Sequence, residues 1–340
     1  MKRLSNIKIL DCTLRDGGYV NDFDFKKENI KKIIKHLINS KIDVIELGFL
    51  KNCEYSIDKT FYNFIAEAEY HLNEFEPINN FSLMIRPDWY DISKLKAFNG
   101  KIKNLRFAFH YNDLNLALNQ AEKARNLGYN IIFNPVNINS YKPKDLENIL
   151  INLNKFNPNA VYIVDTFGSM LPSDLKNIFS VFNETLNEKI SIGLHLHENL
   201  SLSLGLACVF IDLIGNRNGY IDSTLIGMGR EPGNLCTELM LNYINSYENN
   251  RYNLIDIYEA IENPISIIKK TNNWGYSPAY AITGFKKIHR SYAEFLLEKK
   301  ELTLLDINNI LNEINSESDK SEFKKSFIET LYLKYKNKKK

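Results

Sequence analysis

The feature that most constrains the fold of this chain is an alternation of two patterns that repeats across about 250 residues. Short apolar runs rich in β-branched residues alternate with longer segments in which isoleucine and leucine recur every three or four residues. Strands that alternate with helices predict βαβ units and a parallel sheet. The eight predicted strands are 7–13, 42–49, 81–86, 104–110, 129–135, 160–166, 190–197 and 220–227.

Eight strand–helix repeats of this length are typical of a (β/α)8 barrel, also called a TIM barrel, and we predict that α/β fold. The alternative is an open, doubly wound sheet. Against it, no GxGxxG motif follows the first strand, and polar residues cluster at the ends of nearly every strand. Beyond about residue 250 only helix-like patterns remain. We therefore expect a barrel domain at 1–250 and a helical C-terminal region at 251–340.

Composition argues against several classes of partner. The 340 residues carry a formal net charge of +2 at pH 7, which favours neither nucleic acid nor an anionic membrane. No apolar run reaches the roughly 18 residues of a membrane helix, and the sequence starts without a signal-peptide core. The four cysteines are widely spaced and form no CxxC pair, as in a reduced protein. We expect a cytoplasmic protein that acts on small molecules.

Polar side chains stand where the predicted strands end. Because the active sites of such barrels are built at the carboxyl ends of the strands, residues far apart in sequence would converge there. A purely structural protein can place any polar residue at these positions, so a full set of chemically useful ones favours function. The set comprises Arg15, Asp16, Glu46, Arg86, His110, Asn134, Asp165, Thr166, His195 and His197.

The segment GLHLHEN carries the strongest chemical signal. Residues two apart on a strand point the same way, so His195 and His197 can present two imidazoles to one ion. Asp16 would complete a set of two histidines and one carboxylate that leaves positions open for water and substrate. An isolated HxH motif is often structural, but the chain has only six histidines. Such ligands suit Mn2+, Mg2+, Co2+ or Zn2+, and Mn2+ is the ion that we expect.

Three motifs, in this order, resemble those of the DRE-TIM metallolyases. They are LDCTLRDGG, GLHLHENLSLSLG and GMGREPGNLCTE. This superfamily of metal-dependent barrels includes 4-hydroxy-2-oxovalerate aldolase, HMG-CoA lyase, and the isopropylmalate and homocitrate synthases. The resemblance spans roughly residues 7 to 247 and is strongest to the 4-hydroxy-2-oxovalerate aldolase branch, whose helical C-terminal region is similar to GYSPAYAITGFKKIHRSYAEFL.

The resemblance implies roles for individual residues. Asp16, His195 and His197 match the metal ligands, and Asn234 matches a position that supplies a further ligand in the lyase branch. Arg15 matches the arginine that stabilises the enolate oxygen. An arginine suits that role because it is always charged and donates several hydrogen bonds.

Further residues are expected around the substrate. The backbone amides of residues 166 to 169 would receive the substrate carboxylate, and Tyr276 would reach the pocket from the C-terminal region. Glu46 would orient Arg15, and Arg86 would bind a carboxylate or phosphate of the substrate, although each could be only barrel-rim structure. The expected substrate-binding residues are Glu46, Arg86, Thr166, Gly168, Ser169 and Tyr276.

Tyr19 is where the chain departs from the aldolase pattern. Tyr19 occupies the position of a histidine that follows Arg-Asp-Gly and one variable residue in that branch. A phenol with a pKa near 10 is a poor base at neutral pH. Tyr19 would instead donate a hydrogen bond, shape the aldehyde pocket or act through water. His110 is our substitute for the base, and the alternative is a neutral, hydrogen-bonded pocket histidine.

These residues predict a divalent-metal-dependent aldolase that cleaves or forms a 4-hydroxy-2-oxo acid through a pyruvate enolate. A Schiff-base mechanism is disfavoured, because no predicted strand carries a suitably placed lysine. A Claisen-type acyl-CoA synthase or lyase is the alternative, but the first motif reads RDGG rather than RDGEQ, and GMGREPGN lacks cysteine. A barrel that binds a ligand without turnover is the third hypothesis.

The C-terminal helices have three possible uses. They would bind an aldehyde dehydrogenase that consumes the released aldehyde, as the resemblance implies, form a homodimer, or cover the barrel mouth.

Overall fold

The computed structural model describes residues 4–76 and 80–339 and contains all eight predicted strands, with ends that differ from the prediction by a few residues. One further strand of two residues, β3, follows β2. The strands are β1 (Ile7–Asp11), β2 (Val44–Leu50), β3 (Phe61–Tyr62), β4 (Asn80–Ile85), β5 (Ile102–Phe109), β6 (Asn130–Pro135), β7 (Ala160–Asp165), β8 (Ser191–Leu196) and β9 (Gly219–Ser223).

The eight predicted strands close into a parallel barrel. The order around it is β1-β9-β8-β7-β6-β5-β4-β2, and β1 also pairs with β2, with Leu10 opposite Val44 and Asp11 opposite Ile45. β3 lies outside the ring, where it pairs in parallel with the end of β2. The closing pair excludes the open, doubly wound sheet and confirms the predicted TIM barrel.

Helices surround the barrel because their apolar residues fall on one face. In α1 the buried residues Ile30, Ile33, Ile34 and Leu37 follow the three- and four-residue spacing of such a face. The helices between the strands and after β9 are α1 (Lys27–Asn39), α2 (Ile65–Glu69), α3 (Leu114–Asn126), α4 (Pro143–Phe156), α5 (Pro172–Thr185), α6 (Ser203–Ile214) and α7 (Thr237–Tyr247).

From residue 251 onward the described elements are helices, as predicted. α8 (Leu254–Ala260) and α9 (Ser266–Thr271) are separated by a π-helical segment, Ile261–Ile265. The remaining helices form a second helical group near the end of the chain. In order, the helices of this group are α10 (Pro278–Phe285), α11 (Ser291–Leu297), α12 (Leu304–Leu311), α13 (Glu317–Ser321) and α14 (Lys325–Lys339).

Among the described residues, two large apolar cores contain most of the buried apolar side chains. Tyr252, Ile257 and Trp274 belong to the core that the barrel and its helices share. A second core begins at Ala279 and extends to Tyr332. α8 and α9 therefore pack with the barrel, and the second core starts after them. Residue 250 marks the end of the α/β pattern, and the division into two domains there stays a prediction.

The second helical group packs against the carboxyl end of the barrel. Arg290, just before α11, donates from Nη1 to the backbone oxygen of Thr166 over 3.0 Å. The His289 ring lies 5.5 Å from the ring of Phe167, centroid to centroid. The C-terminal helices thus cover part of the barrel mouth, which was one of their three predicted uses. Among the described residues, no helix has both the length and the apolar character needed to cross a membrane.

Candidate active site and metal centre

The turn after β1 places Asp16 at the barrel mouth. Asp11, the last residue of the strand, accepts a hydrogen bond of 2.7 Å from the Thr237 hydroxyl, which fixes the end of the strand where the turn begins. Gly18 is required in this turn, since a Cβ atom there would lie 2.3 Å from the ring of Phe23. Asp16 itself is 5% exposed, so its carboxylate is held inside the mouth rather than in solvent.

Asp16, His195 and His197 come together as the sequence predicted. Oδ2 of Asp16 lies 3.6 Å from Nε2 of His195 and 3.7 Å from Nε2 of His197. One ligand atom from each of the three residues lies within 4.8 Å of the other two. All three side chains are buried or nearly so. Residues from β1 and β8, far apart in sequence, thus form one compact donor set.

Hydrogen bonds at the other ring nitrogen orient both histidines. Nδ1 of His195 lies 2.9 Å from Oδ2 of Asp222, and Nδ1 of His197 lies 2.8 Å from the backbone oxygen of Asp165. A proton on each Nδ1 leaves the Nε2 lone pair facing Asp16, which is the tautomer that binds a metal ion. Burial lowers the pKa of His197 to about 4, so this imidazole is neutral at physiological pH.

The buried oxygen atoms that have no hydrogen-bond partner are suitable for a divalent cation. Oδ2 of Asp16 is buried without a hydrogen-bond partner, and so is Oδ1 of Asn234, while Nδ2 of Asn234 donates to the backbone oxygen of Met228. Asn234 is brought beside His197 by an isolated β-bridge between the two residues. Burial opposes ionisation of Asp16, but the charge of Arg15 and the contacts with His195 and His197 together outweigh it and hold the pKa of that carboxyl well below its usual range. An anionic oxygen, two imidazoles and an amide oxygen are suitable ligands for such an ion.

A second donor cluster shares His195 and is chemically less suitable. It comprises Cys12, His195 and Asp222. Burial raises the pKa of the Cys12 thiol well above its usual value, and its sulfur lies 3.4 Å from the backbone oxygen of Ser223, to which it donates. Metal ions bind the thiolate rather than the thiol. Asp222 already serves His195 and Arg106, so the cluster with Asp16 is the better site.

Arg15 is fixed between two carboxylates. Its Nε donates to Oε2 of Glu46 over 2.6 Å, and its Nη1 donates to Oδ1 of Asp16 over 2.5 Å. This is the orienting contact that we predicted for Glu46. Because both carboxylates are buried, the guanidinium is held in one place beside the donor set, where it can meet negative charge on a substrate.

A fully buried arginine joins the two halves of the site. Arg106, on β5, donates from Nη2 to Asp222 over 2.5 Å, and its Nη1 lies 3.0 Å from Oε2 of Glu46. Its guanidinium also lies 4.3 Å from the ring centroid of Tyr162. Arg106 thereby connects the carboxylate that orients Arg15 with the one that orients His195.

We did not select Arg106 or Asp222 from the sequence, although a signal was present. Each is a charged residue at a buried position of a barrel strand, where Arg106 lies between Leu105 and Phe107 and Asp222 follows Ile221. A charge in a buried parallel strand requires a partner of opposite sign, so an arginine and two carboxylates on three such strands indicate an interior network.

A cavity of about 210 Å³ opens above the donor set. Eight of the predicted site residues line it, and further lining comes from β2, β4, β5, β6 and β7 and from the loops above them. The predicted residues in the lining are Arg15, Asp16, Tyr19, Arg86, His110, Thr166, His195 and His197. Asn134, at the end of β6, also lines the cavity, and its buried Oδ1 has no hydrogen-bond partner.

Four predicted substrate-binding residues are not in the described lining: Glu46, Gly168, Ser169 and Tyr276. Glu46 is buried against Arg15 and Arg106 instead. The amide of Gly168 donates to the backbone oxygen of Asp165, and the amide of Ser169 donates to the Asp165 carboxylate over 2.9 Å. Neither amide is therefore available to a substrate carboxylate, and neither residue is in the described lining. Tyr276 is 61% exposed and lines a neighbouring cavity with Trp274.

The two candidates for proton transfer have different protonation states. Burial raises the pKa of Tyr19 above its ordinary value, so Tyr19 keeps its proton and is a hydrogen-bond donor. Burial and the nearby charge of Arg86 lower the pKa of His110, so His110 is neutral at physiological pH and can accept a proton. Both side chains line the cavity.

Three further residues of the cavity were not selected from the sequence. Arg230 lies in the GMGREPGN motif, and His289 and Arg290 come from the C-terminal region. Nδ1 of His289 accepts a hydrogen bond from the amide of Ser291, and burial lowers the pKa of His289 to about 3. Its neutral ring therefore carries the proton on Nε2 and is a donor there. No strand-end rule applies to a C-terminal helical region, so only the docking of that region reveals His289 and Arg290.

The fold and the donor set define a class: a (β/α)8 barrel with two histidines and an aspartate at its carboxyl end. The family model described as HMGL-like matches residues 6–263. The chain therefore belongs to the HMGL-like family of aldolases and lyases.

The curated relatives that match this chain include two bacterial 4-hydroxy-2-oxovalerate aldolases. The protein of Thermomicrobium roseum is 25% identical over 316 residues, which cover 89% of this chain and 86% of the relative. The protein of Carboxydothermus hydrogenoformans is 24% identical over 322 residues, 91% of each chain.

Solved structures support the fold. The N-terminal domain of a proposed aldolase from Bacteroides vulgatus is similar with a TM-score of 0.74 at 24% identity, over 85% of this chain and 96% of that one. HMG-CoA lyase from Brucella melitensis is similar with a TM-score of 0.60 at 12% identity, over 78% and 97% of the two chains.

Proposed function

We propose that this protein is a divalent-metal-dependent aldolase that cleaves or forms a 4-hydroxy-2-oxo acid through a pyruvate enolate. The observation that carries the proposal is the convergence of Asp16, His195 and His197, with unpaired donor atoms, beside the buried Arg15. The match to aldolases over nine-tenths of the chain supports the same reaction class.

The metal ligands in this proposal are Asp16, His195 and His197, with Asn234 as a further oxygen donor. A divalent ion bound there would supply Lewis acidity to the 2-oxo and carboxylate oxygens of the substrate. Mn2+ is the first ion to test, followed by Mg2+, Co2+ and Zn2+.

The four cysteines form no disulfide in the described chain, which agrees with a reducing compartment such as the cytoplasm.

Two side chains provide charge and a proton acceptor. Arg15 donates hydrogen bonds where negative charge develops on the 2-oxo oxygen as the carbon–carbon bond breaks. His110 removes the proton from the 4-hydroxyl group. Of the other histidines in the described lining, His195 and His197 are the proposed metal ligands, and His289 carries its proton on Nε2. Tyr19 donates a hydrogen bond to the same oxygen.

The test is pyruvate release from a panel of 4-hydroxy-2-oxo acids, measured with Mn2+ and after exhaustive chelation. We expect release that needs the added ion, and we expect His195→Ala and His197→Ala to abolish both activity and Mn2+ binding. His36→Ala is the control for loss of a histidine outside the barrel mouth. Because His36, Asp256 and Glu259 also offer ligand atoms within 4.8 Å of one another, this variant shows whether any Mn2+ binds there instead.

Activity that survives chelation or His195→Ala would overturn the metal-dependent mechanism. Turnover of an acyl-CoA substrate without any pyruvate release would overturn the aldolase and support the Claisen-type alternative.

A further inference from the structure

The cavity above the donor set contains more positive charge than the donor set uses. Four arginines line it, while Asp16 is the single carboxylate among the described lining residues. The lining arginines are Arg15, Arg86, Arg230 and Arg290. Whether this excess matters depends on which of the four already have partners.

Two of the arginines are hydrogen-bonded to carboxylates. Arg15 lies between Glu46 and Asp16, as described above. Arg86 makes a bidentate contact with Asp88, with distances of 3.1 Å from Nε and 2.8 Å from Nη2 to the two carboxylate oxygens. The positive charge of each is therefore balanced by a carboxylate.

Arg290 and Arg230 share one carboxylate. Nε of Arg290 contacts Oε2 of Glu231, and its Nη1 donates to the backbone of Thr166. Nε of Arg230 lies 3.8 Å from Oε1 of the same glutamate, which is too far for a hydrogen bond. Burial also raises the pKa of Glu231 to about 7, so this carboxylate is only partly ionised at neutral pH.

Arg230 is therefore the arginine whose charge is least compensated. Its side chain is 37% exposed, and its guanidinium lies 4.9 Å from the ring centroid of Tyr19, in the segment that also carries Asp16. Stacking on an aromatic ring holds a guanidinium in place while leaving its edge free to donate hydrogen bonds.

The lining of the same cavity also includes apolar residues that suit a short carbon chain. They are Phe49, Met84, Ala108, Val136 and Val164. In a 4-hydroxy-2-oxo acid, the carboxylate at C1 belongs with the 2-oxo group near Asp16, His195 and His197. Arg230, which lines the cavity and is not hydrogen-bonded to a carboxylate, is then available for the other end of the molecule.

We propose that Arg230 forms a second anion subsite, so that the aldehyde half of the substrate carries a carboxylate or a phosphate group. This inference rests on the proposed function for the position of the C1 carboxylate. A purely alkyl aldehyde half would leave the Arg230 guanidinium without an anionic partner for charge-assisted hydrogen bonds. An anionic end group supplies that partner.

Binding of two 2-oxo acids of equal chain length tests the subsite without turnover. 2-Oxoglutarate and 2-oxovalerate differ only in a terminal carboxylate or methyl group. With the Mn2+-loaded protein, calorimetry should give a dissociation constant for 2-oxoglutarate that is about tenfold lower or more. The ratio should fall towards one in Arg230→Met and recover partly in Arg230→Lys, which restores the charge.

Turnover distinguishes the two kinds of anion. Substrates that end in methyl, carboxylate or phosphate are compared by kcat/KM, and one of the anionic series should exceed the methyl series by about tenfold or more. Arg125→Met, an exposed arginine on α3, is the control for loss of a positive charge. Thermal unfolding of each variant checks that it is folded.

The outcomes separate this proposal from the proposed function. Equal binding of the two 2-oxo acids, no binding of 2-oxoglutarate, or a ratio that Arg230→Met leaves unchanged would overturn the anion subsite. A preference for 2-oxoglutarate that depends on Arg230, with no pyruvate release from any substrate, would overturn the aldolase and leave the subsite intact.

Discussion

Nδ1 of His195 lies 2.9 Å from Oδ2 of Asp222, so a carboxylate on β9 fixes the orientation of a histidine on β8. The same oxygen accepts a hydrogen bond from Arg106. Asp222→Asn removes the charge from this contact while preserving its shape. Because partners of this kind orient a ligand and raise its basicity, we expect Mn2+ affinity to fall about 10- to 100-fold, measured by electron paramagnetic resonance titration.

Asp22→Asn is the control for this substitution. Asp22 is exposed in the segment after Asp16, and asparagine tolerates its left-handed backbone, with φ of 52°. Equal Mn2+ affinities of Asp222→Asn and the control would show that Asp222 does not support the ligand.

Among the buried residues of the site, replacement of Arg106 should lower the free energy of unfolding the most. Arg106→Met leaves Glu46 and Asp222 without their shared cation in the barrel interior, where all three side chains are fully buried. We expect the free energy of unfolding to fall by about 3–5 kcal/mol in urea denaturation. Arg125 is exposed, so Arg125→Met should change the free energy of unfolding by less than about 0.5 kcal/mol. A stable Arg106→Met protein would mean that the two carboxylates find other partners.

His110→Ala tests the proposed base. We expect kcat to fall about 10²- to 10⁴-fold, with smaller loss in Tyr19→Phe. Because the pKa of His110 lies below its usual 6.5, the acid limb of the pH profile of kcat/KM should lie below that pH and be absent in the variant. A retained limb would assign the base to another group, and Tyr19→His would then be the next variant to measure.

His71 predicts a pH dependence of stability away from the site. Its ring is 1% exposed, neither nitrogen has a hydrogen-bond partner, and burial lowers its pKa from 6.5 to about 4. The folded state thus favours the neutral imidazole, so the free energy of unfolding decreases as the pH falls below 6.5. Between about pH 7.5 and pH 4.5 this decrease should amount to about 2.5 kcal/mol.

Urea denaturation at the two pH values measures this contribution. His71→Phe, which cannot titrate, should lose correspondingly less stability on acidification than the wild type. An equal loss in both proteins would contradict the assignment.

Two glycines should respond to alanine in opposite directions. Gly48, at the bulge in β2, has φ of +146°, and a Cβ atom there would lie 2.0 Å from the backbone oxygen of Thr60. Gly48→Ala should lower the free energy of unfolding by about 2 kcal/mol or more. Gly205 in α6 has open space, so Gly205→Ala should raise it by about 0.5–1 kcal/mol. Calorimetric melting of both variants checks the signs.

The sequence by itself determined the barrel and the residues of the candidate metal site. Strand periodicity gives the face on which a side chain lies, and parallel strands carry their functional residues at one end. These two local rules bring Asp16, His195 and His197 together without further information. They also place Arg15, Arg86 and His110 at the mouth, where the structure has them in one cavity.

Only the tertiary structure decided which partner each group has. Asp165 binds the amides of Gly168 and Ser169, so amides that looked available to a substrate are already paired. Arg106 and Asp222 meet although 116 residues separate them. Arg290 reaches Thr166 because the C-terminal helices dock on the barrel mouth, whereas Tyr276 stays outside the cavity. Such contacts depend on the packing of whole elements, which no local pattern in the sequence specifies.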